Sequence, residues 1–147
     1  MPERNTIKRA KRDLRRGTSK ATAAGEFVRE EIHHIREGKH GARSTKQAIA
    51  IGLSKARRAG VDPGTPKTGS QRTQTAAKRA AAAGRHPHPV SKARSAATKQ
   101  ALRREPRTAA SKPALSRHAH TAAMHRTAKA RSASAKQAAR TRAREHV

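Results

Sequence analysis

AAGEFVREEIHHIREG (residues 23–38) and STKQAIAIGLSKARRAG (residues 44–60) hold the densest cluster of bulky apolar side chains in the chain. Ala24, Val28, Ile32 and Ile35 recur at helical spacing, which predicts a first helix from Ser19 or Glu26 to Glu37. Ser19 is placed to cap its start, and Gly38 suits the left-handed residue past its end. A second helix is expected from Thr45 to Ala59, with Ile49, Leu53 and Ala56 as its inner stripe. Ser44 and Gln47 have capping-box spacing, and Gly60 follows the last turn. Gly52 in mid-helix costs roughly 1 kcal/mol relative to Ala, which a close crossing with the first helix would explain. The two helices form a hairpin around the turn GKHGARS.

Outward from the hairpin the composition turns strongly cationic. The 147 residues carry 36 Lys plus Arg against 9 Asp plus Glu, a formal net charge of +27. Residues 1–62 hold 16 basic and 7 acidic residues, whereas residues 63–147 hold 20 basic and 2 acidic ones. Such an excess repels itself unless a polyanion neutralises it. With one Phe and no Trp, Tyr or Cys, a domain-sized core, disulfides and thiolate metal sites are excluded. The sequence divides into a basic N-terminal arm (1–18), the hairpin (19–60), a Pro/Gly/Thr/Ser linker (61–70) and an Ala/Arg/Lys-rich tail (71–147). Low hydropathy with high charge predicts that the tail is largely disordered when free and partly helical when bound, over 70–83, 91–105 and 116–145. The fold expected is therefore mostly α, a short hairpin with a long disordered tail. The hairpin is small enough to need the Ile7 and Leu14 segment, self-association or nucleic acid to hold it. ARSAATKQALR (93–103) and ARSASAKQAAR (130–140) repeat, with an echo in ARSTKQA (42–48), as expected of repeated phosphate-binding cassettes.

The candidate binding residues follow from charge and helix-start chemistry. Lys39, His40, Arg43, Ser44, Thr45 and Lys46 surround the second helix's N-terminus, where backbone N–H groups and the dipole favour a phosphate. Lys55, Arg57 and Arg58 extend this set, as do Lys92, Arg94, Lys99 and Arg103 in one repeat and Arg131, Lys136 and Arg140 in the other. HHIREGKHGARSTKQAIAIGLSKARRAG (33–60) resembles a family of small basic bacterial proteins of unknown function with a KHGK-like turn followed by a KQAIAIALS helix. The resemblance rests on Lys39, His40, Gly41 and Lys46–Ser54, and departs at Ala42 and Gly52. It implies a DNA-binding protein with a Lys/Arg/Ala-rich tail. The tail also resembles linker-histone tails in composition.

Other functions fit less well. Nine histidines include His33–His34, His86–Pro87–His88 and His118, His120 and His125, but their spacing gathers no ligand set, so no metal or cofactor is expected. Glu26, Glu30, Glu31 and Glu37 lack an enclosing pocket for catalysis, and are expected to pair with Lys and Arg on the hairpin surface. Nothing predicts a small-molecule substrate. No apolar run of about 20 residues predicts a membrane span, and no apolar stretch follows the basic N-terminus as in a secretory signal. Phe27 is expected inside, which leaves no aromatic platform for stacking bases. The reading is a non-sequence-specific, nucleoid-associated, histone-like binder of duplex DNA in the cytoplasm. The alternative is an RNA- or ribosome-associated basic protein.

Overall fold

The computed structural model describes residues 2–67, 69–86 and 89–145. The His86–Pro87–His88 run and Val147 thus fall partly or wholly outside the described residues. Among the described residues seven α-helices form, in chain order α1 (Arg4–Arg15), α2 (Lys20–Arg36), α3 (Thr45–Arg58), α4 (Gln71–Arg85), α5 (Lys92–Arg104), α6 (Lys112–Met124) and α7 (Ala128–Glu145). A 3-10 turn occupies Thr108–Ala110. The helices divide into two compact units, residues 1–111 and residues 112–147.

In the first unit α2 and α3 form the expected hairpin. Ser19 Oγ accepts from Thr22 N, and Ser44 Oγ accepts from Gln47 N while Gln47 Oε1 accepts from Arg43 N, a reciprocal capping box. Gly38 and Gly60 take the left-handed conformation at φ 79° and 84°. The contact face of α3, however, is a line of small residues. Ala48, Gly52 and Ala56 are buried, while Ile49 and Leu53 are only partly so. A Cβ on Gly52 would stand 2.6 Å from Val28 Cα and 3.0 Å from Phe27 O, so the missing side chain lets the two helices touch backbone to backbone.

Phe27 is fully buried at the centre of a core made with Ala10, Ala23, Ala24, Ala56 and Val61, against which Ile7, Leu14, Leu53 and Ala59 pack. The basic arm is thus a helix laid on the hairpin, with Ile7, Ala10 and Leu14 facing inward at i, i+3, i+7. Arg9 Nε donates to Glu26 Oε2 at 2.6 Å and fastens it. On the other flank α4 packs on α3 through Ala77, Ala80 and Ala81, and Gly84 sits against the Arg57 carbonyl where no Cβ would fit.

The expectation of a largely disordered tail is overturned, because residues 71–145 are mainly helical. For α4 the physical reason is that alanine and glycine bury surface by close backbone approach, without bulky side chains. For α5, α6 and α7, Ala, Arg and Lys have high intrinsic helix propensity, and local caps start two of these helices. Ser91 Oγ accepts from Arg94 N, and Thr127 Oγ1 from Ala130 N. These terms outweigh the low hydropathy and high charge that predict disorder. Boundaries also differ. Pro113 lies in the first turn of α6, as its fixed φ and missing N–H allow there, and residues 125–127 split the expected 116–145 helix in two. The repeats at 93–103 and 130–140 lie on α5 and α7, whereas their echo at 42–48 is half turn and half helix.

Gly52→Ala tests the close crossing. Helix propensity alone would raise stability by roughly 1 kcal/mol. The backbone clash is expected to outweigh it and lower stability by about 1–3 kcal/mol, read as a fall in the thermal midpoint by circular dichroism.

Candidate nucleic-acid interface

The cations singled out in the sequence separate into those that the fold engages and those that it presents. Glu30 and Glu31 face inward from α2, with side chains 2% and 0% exposed. This corrects the surface pairing expected for them. Lys55 Nζ reaches across from α3 to 2.6 Å from Glu31 Oε2 and 3.7 Å from Glu30 Oε1. His40 Nε2 lies 3.2 Å from Glu31 Oε1. Lys39 Nζ pairs with Glu37 at 3.0 Å and with Glu3 at 3.7 Å. Arg57 is buried, 3.5 Å from Asp62, and its Nη2 donates to the Gly64 carbonyl. Lys39, His40, Lys55 and Arg57 are therefore occupied within the hairpin.

The turn's backbone and hydroxyl groups are occupied too. Gly41 N donates to Leu102 O and Ala42 N to Pro106 O. Thr45 Oγ1 donates to Ala109 O, and Arg36 Nε to Ala110 O. Residues 102–110 thus lie in the turn, and Gly41 admits the Glu105 carbonyl where a Cβ would collide. Ser44 is spent on its cap. The structure does not bring the turn residues together around an open anion site. Arg43 and Lys46 remain exposed beside it.

The presented cations lie elsewhere. Arg58, Arg72 and Arg79 line a groove of about 720 Å³ between α3 and α4, with Ser54, Gln71 and Thr75 among its polar walls and no carboxylate in its lining. Arg72 and Arg79 were not singled out in the sequence. Their i, i+7 spacing is a faint signal that gains meaning only when α4 docks beside Arg58. On α5, where no residue is buried, Lys92, Lys99 and Arg103 share one side at i, i+7, i+11, and Arg94 projects from another. In the second unit Lys136, Arg140 and Arg144 form a stripe at i, i+4, i+8 along α7, flanked by Gln137 and Thr141. Arg131 is exposed, and its Nη1 donates to the Arg126 carbonyl. Steps of four residues repeat about every 6 Å along a helix, which keeps these charges in register with one another.

Among the described residues every ion pair lies between residues 3 and 62. No ion pair therefore involves a described Lys or Arg of α4, α5, α6 or α7. No described helix is long and apolar enough to cross a membrane. Comparison with protein-family models, with curated proteins and with solved structures finds no match to this chain.

Three surface groups feel their pairs. The hydrogen bond from His34 holds the Glu3 carboxyl below its ordinary value, helped by the charges of His34 and Lys39 and opposed by desolvation. The hydrogen bond from Lys39 likewise lowers Glu37, and the same contact raises Lys39. Lowered carboxyls favour the fold when ionised, so their contribution is present above pH 4.5, the unperturbed value, and is lost as pH falls through the folded value. The Lys39 contribution runs the other way, being present below 10.5 and lost as pH rises through the raised value. Glu3→Gln is accordingly expected to flatten the acid limb of the thermal midpoint against pH and to weaken the alkaline limb less, because Glu37 is the larger cause of the Lys39 shift.

Proposed function

We propose that the protein is a non-sequence-specific DNA-binding, nucleoid-associated, histone-like protein of the bacterial cytoplasm that acts by neutralising phosphates. The observation that carries this reading is the segregation of charge. Six of the seven acids among the first 62 residues pair with Lys, Arg or His of the same stretch, Glu30 and Glu31 in the interior and Glu3 and Glu37 at the surface, while Arg58, Arg72 and Arg79 and the stripes of α5 and α7 face outward without carboxylate partners. Displacement of condensed counterions by such cations supplies affinity without sequence readout. Helices bearing cationic stripes suit the wide major groove of B-form DNA better than the deep, narrow one of duplex RNA. The single Phe is fully buried, so single strands find no stacking surface among the described aromatic residues. The resemblance of residues 33–60 to small basic bacterial proteins adds the bacterial setting.

Affinity of the full chain for duplex DNA is expected to fall steeply with salt. About ten engaged cations give a slope of log K against log salt near −9, and a slope shallower than about −3 would remove counterion release as the main term. A parallel series with structured RNA at equal salt tests the choice of nucleic acid, and preference for RNA would overturn the DNA assignment.

The interface itself is tested by two variants. Replacing Arg58, Arg72 and Arg79 together with Ala is expected to make the slope shallower by about 3. Replacing Arg9 and Lys39, which are already paired, is expected to change it by less than about 1. Losses in proportion to the number of cations removed would indicate a diffuse positive surface instead.

A further inference from the structure

Glu31, His34 and His40 each bring one ligand atom to within 4.8 Å of the others. Glu31 and His34 are three residues apart on one side of α2, and His40 returns to them from the turn. Three observations make this more than proximity. Glu31 is fully buried, and although Lys55 and His40 stand at ion-pair distance, neither carboxylate oxygen accepts a hydrogen bond. His40 Nδ1 lies 3.0 Å from the Gly41 carbonyl and its Nε2 3.2 Å from Glu31 Oε1, so both ring nitrogens face groups that only accept. A neutral imidazole has one N–H. With that N–H donated to Gly41, Nε2 turns a lone pair toward an anionic oxygen. Lastly, Lys55 approaches the other oxygen, Oε2, which leaves Oε1 and Nε2 facing each other.

We propose that Glu31, His34 and His40 bind a divalent transition-metal ion of the zinc class. Two imidazoles and a carboxylate are an N/O donor set suited to such an ion rather than to calcium or magnesium. The 3.2 Å between His40 Nε2 and Glu31 Oε1 is close to the edge of a tetrahedron with bonds of about 2.0–2.1 Å. The surroundings supply the outer partners that fix metal ligands. The Gly41 carbonyl holds His40 in the tautomer that exposes Nε2, and Lys55 neutralises the free oxygen of Glu31. The charge balance points the same way. Two buried carboxylates, Glu30 and Glu31, share the one ammonium of Lys55, a local negative excess in a chain of net +27. A cation here offsets that excess and ties α2 to the turn. The site is independent of the proposed nucleic-acid binding and uses none of its outward-facing cations.

The experiment titrates metal-free full-length protein with Co²⁺, read by visible absorption, and with Zn²⁺, read by calorimetry and thermal midpoint. One ion per chain is expected, with an intense tetrahedral Co²⁺ band that Zn²⁺ displaces and a midpoint that rises with Zn²⁺. His34→Gln and His40→Gln are expected to weaken binding by at least about 100-fold, while His33→Gln and His118→Gln leave it unchanged. If either of the first two fails to fold, histidine ring resonances of the unmodified protein decide the matter. Zn²⁺ should then shift the rings of His34 and His40 at one equivalent and leave the others in place. Absence of a stoichiometric Co²⁺ band, retention of binding in folded His34→Gln or His40→Gln, or shifts at other rings would each overturn the site. A proton on His40 Nε2 would then be the group that faces Glu31.

Discussion

Two buried carboxylates set the terms for the first unit of this fold. Glu30 and Glu31 sit on the inner side of α2, and ionised groups so placed must be answered by charge or hydrogen bonds from the elements around them. Each neighbouring element sends one. From the cap of α1 the Glu3 N–H donates to Glu30 Oε2 at 3.1 Å, and Lys55 comes from α3. The turn contributes His40, and His34 of α2 bridges toward Glu3. The register of three segments is fixed at one point. Removing one member of such a cluster leaves a buried charge without compensation, which typically costs about 3–5 kcal/mol.

Close packing makes that convergence possible. Alanine and glycine dominate the helix contacts, at Ala48, Gly52 and Ala56 on α3 and at Ala77, Ala80, Ala81 and Gly84 on α4. Small residues bring backbones together, which shortens the reach from Lys55 to the carboxylates and leaves Phe27 as the one large aromatic filler. The same economy of apolar bulk frees the remaining surface for charge. Within the first unit most acids turn inward or pair locally, and among the described residues no Lys or Arg of α4, α5, α6 or α7 is matched by a carboxylate.

Much of the hairpin was legible from local chemistry. Ser19, Ser44 with Gln47, Gly38 and Gly60 act as caps where their spacing placed them, and Gly52 marks the close crossing. The inner stripe of α3 was misplaced because Ile49 and Leu53 outweigh alanine in any periodicity of bulk, although Ala48, Gly52 and Ala56 make the contact. The tail was misread for the same reason: an alanine face gives almost no hydropathy contrast, and Pro113 looks like a breaker until its position in a first turn is known. The pairing of Glu30 and Glu31 with hairpin cations was legible, but their burial and the Arg58, Arg72 and Arg79 groove were not. Burial of the acids follows only once α3 brings Lys55 across α2, and the groove forms only when α4 docks beside Arg58.

The central claim is that lysines paired within the hairpin are withheld from nucleic acid while those on the outer helices engage it. Lysine acylation of the full chain, mapped by mass spectrometry with and without duplex DNA, tests this most directly. Lys92, Lys99 and Lys136 are expected to be strongly protected by DNA, and Lys39 and Lys55 to keep the reactivity they have in the free protein. Protection of Lys39 equal to that of Lys99, or no protection of any outer lysine, would contradict the account.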